Sequence, residues 1–389
     1  MRQVMPRDDA NAPSGEVPVL SESVSGARIR RAPRHLADLD VTARKEWLTD
    51  LGEQPFRATQ LSNHYFSRDE TAAENMSDLP SATREKLVDS VFPPLVTQVR
   101  NQVADGGWTR KTLWRLFDGS LVESVLMRYP SRTTLCVSSQ VGCGMACPFC
   151  ATGRMGLTRN MSTAEIVEQV RLSRLAVRAG DLGESAAELS RIVFMGMGEP
   201  LANYRNLLGA FHRISDPQPA GFGISARHLS VSTCGLVPAI GRLAGEGLPV
   251  TLAISLHAPD DELRDELVPI NQRWCVGELL DAARGYFEVT GRRVSIEYAL
   301  IKDMNDQVWR AELLAEELNS RGHGWVHVNP IPLNPVPGSI WTASSSSAQD
   351  AFIGTLRSAG ITTTLRDTRG SDIDGACGQL ATLEVEEGN

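Results

Sequence analysis

The stretch Cys143-Gly-Met-Ala-Cys147-Pro-Phe-Cys150 decides the fold. Its three thiols fall within one short loop, directly after the run Thr133–Ser138, which reads as a β-strand. Three thiolates so placed can hold three irons of a 4Fe-4S cluster, and the fourth iron is then open to a small molecule. A structural zinc would want a fourth protein ligand, and no nearby His completes the set. Gly142 and Gly144 let the backbone wrap closely around a cluster. The plain alternatives are buried apolar cysteines and a three-ligand zinc site. Free cysteines seldom gather without a redox or metal reason.

Outward from this loop the pattern is strand, loop, helix, repeated. Candidate strands are Thr133–Ser138, Arg191–Phe194, His228–Val231, Thr251–Ile254, Val294–Ala299, Gly324–Val328 and Thr362–Leu365, with helices such as Thr163–Leu175 and Trp309–Leu318 between them. This alternation predicts a parallel β/α barrel or a doubly wound sheet. In a β/α barrel, functional groups sit just after the carboxyl ends of strands. Gly196-Met197-Gly198-Glu199-Pro200 falls there: the glycines permit close backbone approach and Glu199 can accept hydrogen bonds from a protonated amine. Ser232-Thr233, Ser255-Leu256-His257 and Asn334 fall at or shortly after further strand ends. Singly, each also reads as a loop cap. Repeated at successive strand ends, they read as contacts to one ligand.

Before the cysteines the character differs. Residues 1–33 are rich in Pro, Ser, Gly and charge and read as a disordered tail. Residues 34–100 read as a small helical domain, with Thr42 and Ser81 as candidate caps and stops at Gly52 and Pro93-Pro94. Within 101–131, Leu113–Phe117, Asp118-Gly119 and Leu121–Met127 predict a β-hairpin extension. The barrel takes 132–366, and a C-terminal loop, 367–389, carries Cys377.

The 389 residues are 42% hydrophobic and 22% charged, ordinary for a globular protein. No apolar run approaches the ~18 residues that span a bilayer, and Met1 to Pro33 lacks an apolar signal core. A cytoplasmic protein without membrane contact is expected. In that compartment seven cysteines point to metal or catalysis more than to structural disulfides. The net charge of −8 argues against a surface coated for nucleic acid. Between Arg100 and Arg132 the balance is locally basic, with Arg110, Lys111, Arg115 and Arg128. That segment is the expected phosphate-contacting surface, together with the helices before it. Trp108 and Trp114 could stack on bases or pack in the core.

The C-x3-C-x2-C spacing is the signature of the radical S-adenosylmethionine (SAM) superfamily, and GMGEP resembles its GEP motif. More specifically, Cys136, the cluster motif, GMGEP, STCG, AISLHAP, VPIN, PIPLNPVPG and RGSDIDGACGQL follow one another as in the RlmN family, over residues 36 to 382. The resemblance implies a partial (β/α)6 radical-SAM barrel with a small N-terminal helical accessory domain. It implies a radical SAM methyltransferase acting on carbon 2 of adenine in 23S rRNA, at the peptidyl-transferase centre, and in some tRNAs. One 4Fe-4S cluster would be held by Cys143, Cys147 and Cys150. SAM, two molecules per turnover, would lie on Gly198, Glu199, Ser232, Ser255, Leu256, His257 and Asn334.

By the same resemblance, Cys377 is methylated first. A radical from a second SAM takes hydrogen from that methyl, and the resulting methylene radical adds to the adenine. Cys136 resolves the protein–RNA adduct through a transient disulfide with Cys377. Glu123 matches the family's proton acceptor, and Cys136 is the other candidate. Cys234 and Cys275 carry no role and read as structural. A flavodoxin- or ferredoxin-type electron donor and a monomer are further expectations. The related adenine carbon-8 methyltransferase shares the cysteine set. A radical SAM activase would leave Cys136 and Cys377 idle, and a non-enzymatic iron–sulfur RNA-binding protein would leave the strand-end residues unexplained.

Overall fold

The computed structural model describes residues 31–183 and 185–381. The expected tail lies outside them except for residues 31–33, as does the end of the C-terminal loop. Three helices come first: α1 (Val41–Asp50), α2 (Arg57–Ser62) and α3 (Arg84–Val91). Asp40, rather than Thr42, caps α1, accepting the Ala43 N–H at 2.8 Å. Gly52 ends it in the left-handed region, at φ +80°. Ser81 lies too early to cap α3, which starts after Thr83 without a side-chain cap. These helices share one hydrophobic core with the α/β body through Leu48, Tyr65, Phe66 and Phe92.

Strands β1 (Val96–Ala104), β2 (Thr109–Leu116) and β3 (Leu121–Tyr129) form an antiparallel meander. The Asp118-Gly119 turn joins β2 to β3, with Gly119 at φ +88° and its N–H on the Leu116 carbonyl at 2.9 Å. The hairpin expected as an extension is therefore three-stranded. It is also continuous with the main sheet, because β3 pairs with β4 (Arg132–Cys136). A two-stranded ribbon, β5 (Gln140–Gly142) and β6 (Leu157–Asn160), flanks the short helix α4 (Ala151–Arg154). Next comes α5 (Thr163–Arg178), whose start is a capping box of Ser162 and Glu165.

From there strands and helices alternate: β7 (Arg191–Phe194), α6 (Tyr204–Ser215), β8 (Leu229–Thr233), α7 (Val237–Gly245), β9 (Thr251–Ser255), α8 (Asp261–Leu267), α9 (Val276–Thr290), β10 (Val294–Leu300), α10 (Val308–Asn319), β11 (Val326–Pro332) and α11 (Ser346–Ser358). The sheet order is β1-β2-β3-β4-β7-β8-β9-β10-β11, with β4 and β7 to β11 parallel. Six parallel strands are the partial (β/α)6 barrel that was expected. The seventh candidate, Thr362–Leu365, runs beside β11 as an irregular edge. Thr363 bridges Val328, and the Arg366 N–H bonds the Pro330 carbonyl at 2.9 Å. Among the described residues no further strand lies outside it to make a second ladder. The expected site residues of the barrel fall at or beyond the carboxyl ends of the parallel strands, Cys136 being the last residue of β4 and Ser232 the last but one of β8.

Candidate active site

One cavity of about 190 Å³ opens at the carboxyl ends of the parallel strands, and six of the chain's seven cysteines line it. Cys143, Cys147 and Cys150 come from the loop between β5 and α4. Ala146, between the first two, is held in the left-handed region at φ +55°, unusual for a residue with a Cβ. Gly142 turns the chain into this loop at φ +76°, and a Cβ there would lie 1.9 Å from the Gly156 carbonyl oxygen. Gly153 lets α4 close on the loop, since a Cβ would meet the Cys147 carbonyl at 2.7 Å. Among the described residues, no three His, Cys, Asp or Glu side chains converge on a single ion. Thiols that share a wall without converging suit a polynuclear cluster, with each sulfur on its own iron, better than one tetrahedral zinc. The donor set therefore fits a 4Fe-4S cluster with one open iron.

The remaining wall comes from successive strand ends. Gly198, at φ +99°, brings the backbone against Gln140, where a Cβ would lie 2.4 Å from that side chain. The Glu199 carboxylate is buried and accepts the Cys234 N–H at 2.8 Å and the Leu201 N–H at 3.0 Å. Burial pushes its pKa up to about 7 despite these bonds. Ser232 and Ser255 lie on the wall, and Ser232 Oγ donates to the Phe194 carbonyl at 3.1 Å. His257 stands in the left-handed region at φ +64°. Its Nδ1 accepts the Ala299 N–H at 3.0 Å, and its ring packs edge-on against Phe149 at 5.0 Å. Burial pulls the imidazole down to about 3, so it is neutral and carries its proton on Nε2. Leu256 offers the cavity no side chain. It is fully buried in the core, and its carbonyl is taken by Arg264 Nε at 3.0 Å.

The segment carrying Cys377 is strapped across the cavity. Asn334 Nδ2 donates to the Cys377 carbonyl at 3.0 Å, the Ala151 N–H to Gly378 at 2.8 Å, and Thr152 Oγ1 to Leu380 at 2.5 Å. Gln379 Nε2 reaches the Pro335 carbonyl at 2.9 Å. Cys136 and Cys377 are both free thiols on the cavity wall. Burial, then the neighbouring Cys377, push Cys136 up to about 12. Glu123 is not on the wall. Its carboxylate is buried, pairs with Lys111 Nζ at 3.1 Å and accepts the Ala381 N–H at 3.1 Å. Burial raises its pKa against the pull of Lys111.

Three features escaped the sequence reading. Arg366 lines the cavity, pairs with Glu297 at 3.1 Å and places its cation beside Cys377 and Cys136. Glu297 was visible as a charge inside an otherwise apolar strand, and Arg366 as the residue just past the last strand candidate. Cys234, expected to be merely structural, lines the cavity beside Cys147. Cys275 instead stands at the N-terminus of α9, off the cavity wall. The basic stretch also divides. Arg110 pairs with Asp181 at 3.2 Å, Lys111 is spent on Glu123, and Arg128 donates to the Leu182 carbonyl at 2.8 Å. Arg100, Arg115 and Arg132 remain exposed. Trp114 is core, with Nε1 on Ser124 Oγ at 2.7 Å.

Comparison with known proteins agrees with this architecture. Residues 137–314 match the model of the radical SAM superfamily. Residues 34–92 match that of the ribosomal RNA large subunit methyltransferase N-terminal domain. A Kocuria rhizophila protein described as "Probable dual-specificity RNA methyltransferase RlmN" is 62% identical over 92% of this chain and 94% of its own length. A Kineococcus radiotolerans protein of the same description is 59% identical over 94% and 93%. The crystal structure of a radical SAM methyltransferase from Sphaerobacter thermophilus superposes with a TM-score of 0.84 at 44% identity, covering 90% of this chain and 99% of that one. Among the described residues no helix is long and apolar enough to cross a membrane. With that degree of likeness along nearly its whole length, the chain belongs to the RlmN family of radical SAM methyltransferases.

Proposed function

We propose that the chain methylates carbon 2 of adenine in 23S rRNA and in some tRNAs, by way of a methyl group carried on Cys377. The observation that carries this reading is the gathering of Cys136 and Cys377, from distant parts of the chain, on the wall that holds the three cluster cysteines. Carbon 2 of adenine is electrophilic, so direct transfer of an electrophilic methyl to it is disfavoured. A sulfur that first accepts the methyl and later presents it as a carbon radical removes that mismatch.

Cys143, Cys147 and Cys150 hold the cluster, which when bound supplies the electron that cleaves SAM to a carbon radical. The neighbouring residues bind and orient. Gly198 and Glu199 receive the amino group of SAM. Ser232, Ser255, Asn334 and the protonated Nε2 of His257 offer hydrogen bonds to its polar edges, and Leu256 contributes backbone only. Arg366 sets a cation beside the Cys377 sulfur that accepts the first methyl. One SAM is used for that transfer and a second as radical source, two per turnover. Glu123, its pKa raised by burial, accepts the proton lost from carbon 2 once the tail releases its contact through Ala381. The electron left unpaired after that proton is lost would return to the cluster; the Cys136 thiolate then attacks the Cys377 sulfur, the sulfur–methylene bond breaks as the disulfide forms, and the carbon takes the bond pair and a proton, which frees the methylated base. Both thiols are free in the structure, so a bridge between them is no part of the fold.

The exposed Arg100, Arg115 and Arg132, with the helices of residues 34–100, form the surface for RNA, and the target adenine leaves its stack to enter the cavity. We assign the barrel to residues 132–366 and the methyl-carrying loop to 367–389. A monomer working in the cytoplasm with a flavodoxin- or ferredoxin-type donor completes the reading. The test is anaerobic reconstitution with SAM and RNA fragments, followed by mass spectrometry of nucleosides. We expect 2-methyladenosine from the wild type and none from Cys377→Ala. Formation of 8-methyladenosine, or activity retained in Cys377→Ala, would overturn the assignment.

A further inference from the structure

Lys111 has no part in the chemistry above. Along β3, the alternate residues Val125, Met127 and Tyr129 line the cavity. Glu123 lies on the same face of the strand, one step before Val125. Lys111 of β2 stands opposite Val125 and so shares that face. Its Nζ lies 3.1 Å from Glu123 Oε1 and donates to the Asp374 carbonyl at 3.4 Å. Glu123 Oε2 accepts the Ala381 N–H at 3.1 Å. Asp374 and Ala381 stand on either side of Cys377 in the chain, so the ion pair clasps the segment that carries the methyl acceptor. The base of that segment is held again nearby, where the Gly370 N–H donates to Asp105 Oδ2 at 3.1 Å and the Gly375 N–H to the Gly370 carbonyl at 2.8 Å. The pair is dry: Lys111 is 5% exposed and Glu123 2%.

We propose that Lys111 is a positioning residue that holds the Glu123 carboxylate charged and in place while the Cys377 loop lets go of it at Ala381. The proposal rests on the reading that Glu123 accepts the proton lost from carbon 2. A carboxylate so buried keeps its charge only beside a cation, and a carboxyl that has already taken up a proton cannot accept another. Burial favours that uptake and Lys111 opposes it. Arg100 also acts on Glu123 but is exposed to solvent, which screens it. When the far end of the loop opens, the Ala381 bond is lost and Lys111 remains on Oε1. Its bond to the Asp374 carbonyl holds the near end meanwhile, so the loop opens from a fixed base. Lys111 touches neither SAM nor RNA in this role.

The test uses the full-length chain, reconstituted anaerobically, as wild type, Lys111→Met, Lys111→Arg, Glu123→Gln and the double variant of Lys111→Met with Glu123→Gln. Mass spectrometry of the Cys377 peptide after incubation with SAM and reductant, before an RNA fragment is added, reads the first methyl transfer. Denaturing gels then read the covalent protein–RNA species, and nucleoside analysis reads release of the base. The proposal expects Cys377 to carry the methyl in every variant, since that transfer makes no use of Glu123. Lys111→Met then stalls as the covalent species, with release slowed by roughly 10²-fold, the lower end of what a placed base contributes. Lys111→Arg, which keeps a cation there, regains release. The double variant leaves no unpaired buried charge, and it releases as slowly as Glu123→Gln and no slower. Release from Lys111→Met at the wild-type rate would overturn the proposal. So would a double variant slower than Glu123→Gln, or Lys111→Arg stalled as fully as Lys111→Met, either of which marks a packing effect. Loss of the Cys377 methyl in Lys111→Met and the double variant alike would make Lys111 part of the loop's fold, and also overturn it. Wild-type release from Glu123→Gln would instead remove the reading of Glu123, and this inference with it.

Discussion

Glu123 and Lys111 face each other at 3.1 Å with 3% and 6% of their side chains exposed. Neither charge has enough water to stand alone, so each depends on the other. Lys111 also points Nζ at the Asp374 carbonyl at 3.4 Å, which ties the pair to the tail. Replacing Lys111 with Met leaves a buried carboxylate unpaired. We expect a loss of about 3–5 kcal/mol by chemical denaturation, the usual cost of removing one partner of such a pair. A stability unchanged from wild type would show the pair to be broken in solution. Motif order singles out Cys136, Cys143, Cys147, Cys150 and Cys377 one by one in the sequence, and the structure brings these five to one cavity. The Arg366–Glu297 pair could not be read there, because its partners lie 69 residues apart and meet only through the parallel register beside β11. Cys234 escaped for a similar reason: nothing in a single turn announces which loop it will face.

At the scale of elements, the barrel strands were the most legible part, since apolar runs bounded by turn residues fix a buried strand in place. Arg191–Phe194 forms as expected. Strand β1 was missed because it is mostly solvent-facing, and Thr97, Gln98, Arg100 and Asn101 carry no apolar alternation. The end of β11 was hidden by Pro330 and Pro332, residues that cannot donate to a ladder and that argue against a strand from sequence alone. The tail could be recognised as a loop, but its bonds to α4 could not, because they use backbone carbonyls. Those bonds make the strap adjustable. Thr152→Val removes the donor to the Leu380 carbonyl, worth about 0.5–1.5 kcal/mol. Hydrogen exchange at the Gln379 and Ala381 amides is expected to quicken by roughly 2- to 10-fold on that energy scale. Unaltered exchange there, with the global stability unchanged, would mean that the strap is held elsewhere.

Across the whole molecule, the helical layer and the barrel are joined by buried polar groups as well as by apolar packing. Arg44 of α1 lies over the Phe66 ring at 4.4 Å and donates to the Ala220 carbonyl at 3.0 Å. Tyr65 donates to Glu168 of α5 at 2.5 Å. His35 sits fully buried at this junction, and burial lowers its pKa from 6.5 to about 4. The unfolded chain therefore binds a proton there that the folded chain refuses, so stability falls as pH drops from about 6.5 towards 4. His35→Asn should flatten the dependence of melting temperature on pH in that window, and an unaltered slope would place the titrating group elsewhere. On the proposed function the junction matters, because RNA held on the helices would have to deliver its adenine to a cavity at the strand ends. The decisive measurement follows the methyl hydrogens. With SAM whose methyl group is fully deuterated, transfer through Cys377 requires one deuterium to be removed before the carbon reaches adenine. Mass spectrometry should then find a deuterated methyl on the Cys377 peptide, and a product methyl that keeps two deuteriums and gains one hydrogen. A product that retains all three deuteriums, or a Cys377 that never carries the methyl, would contradict the account.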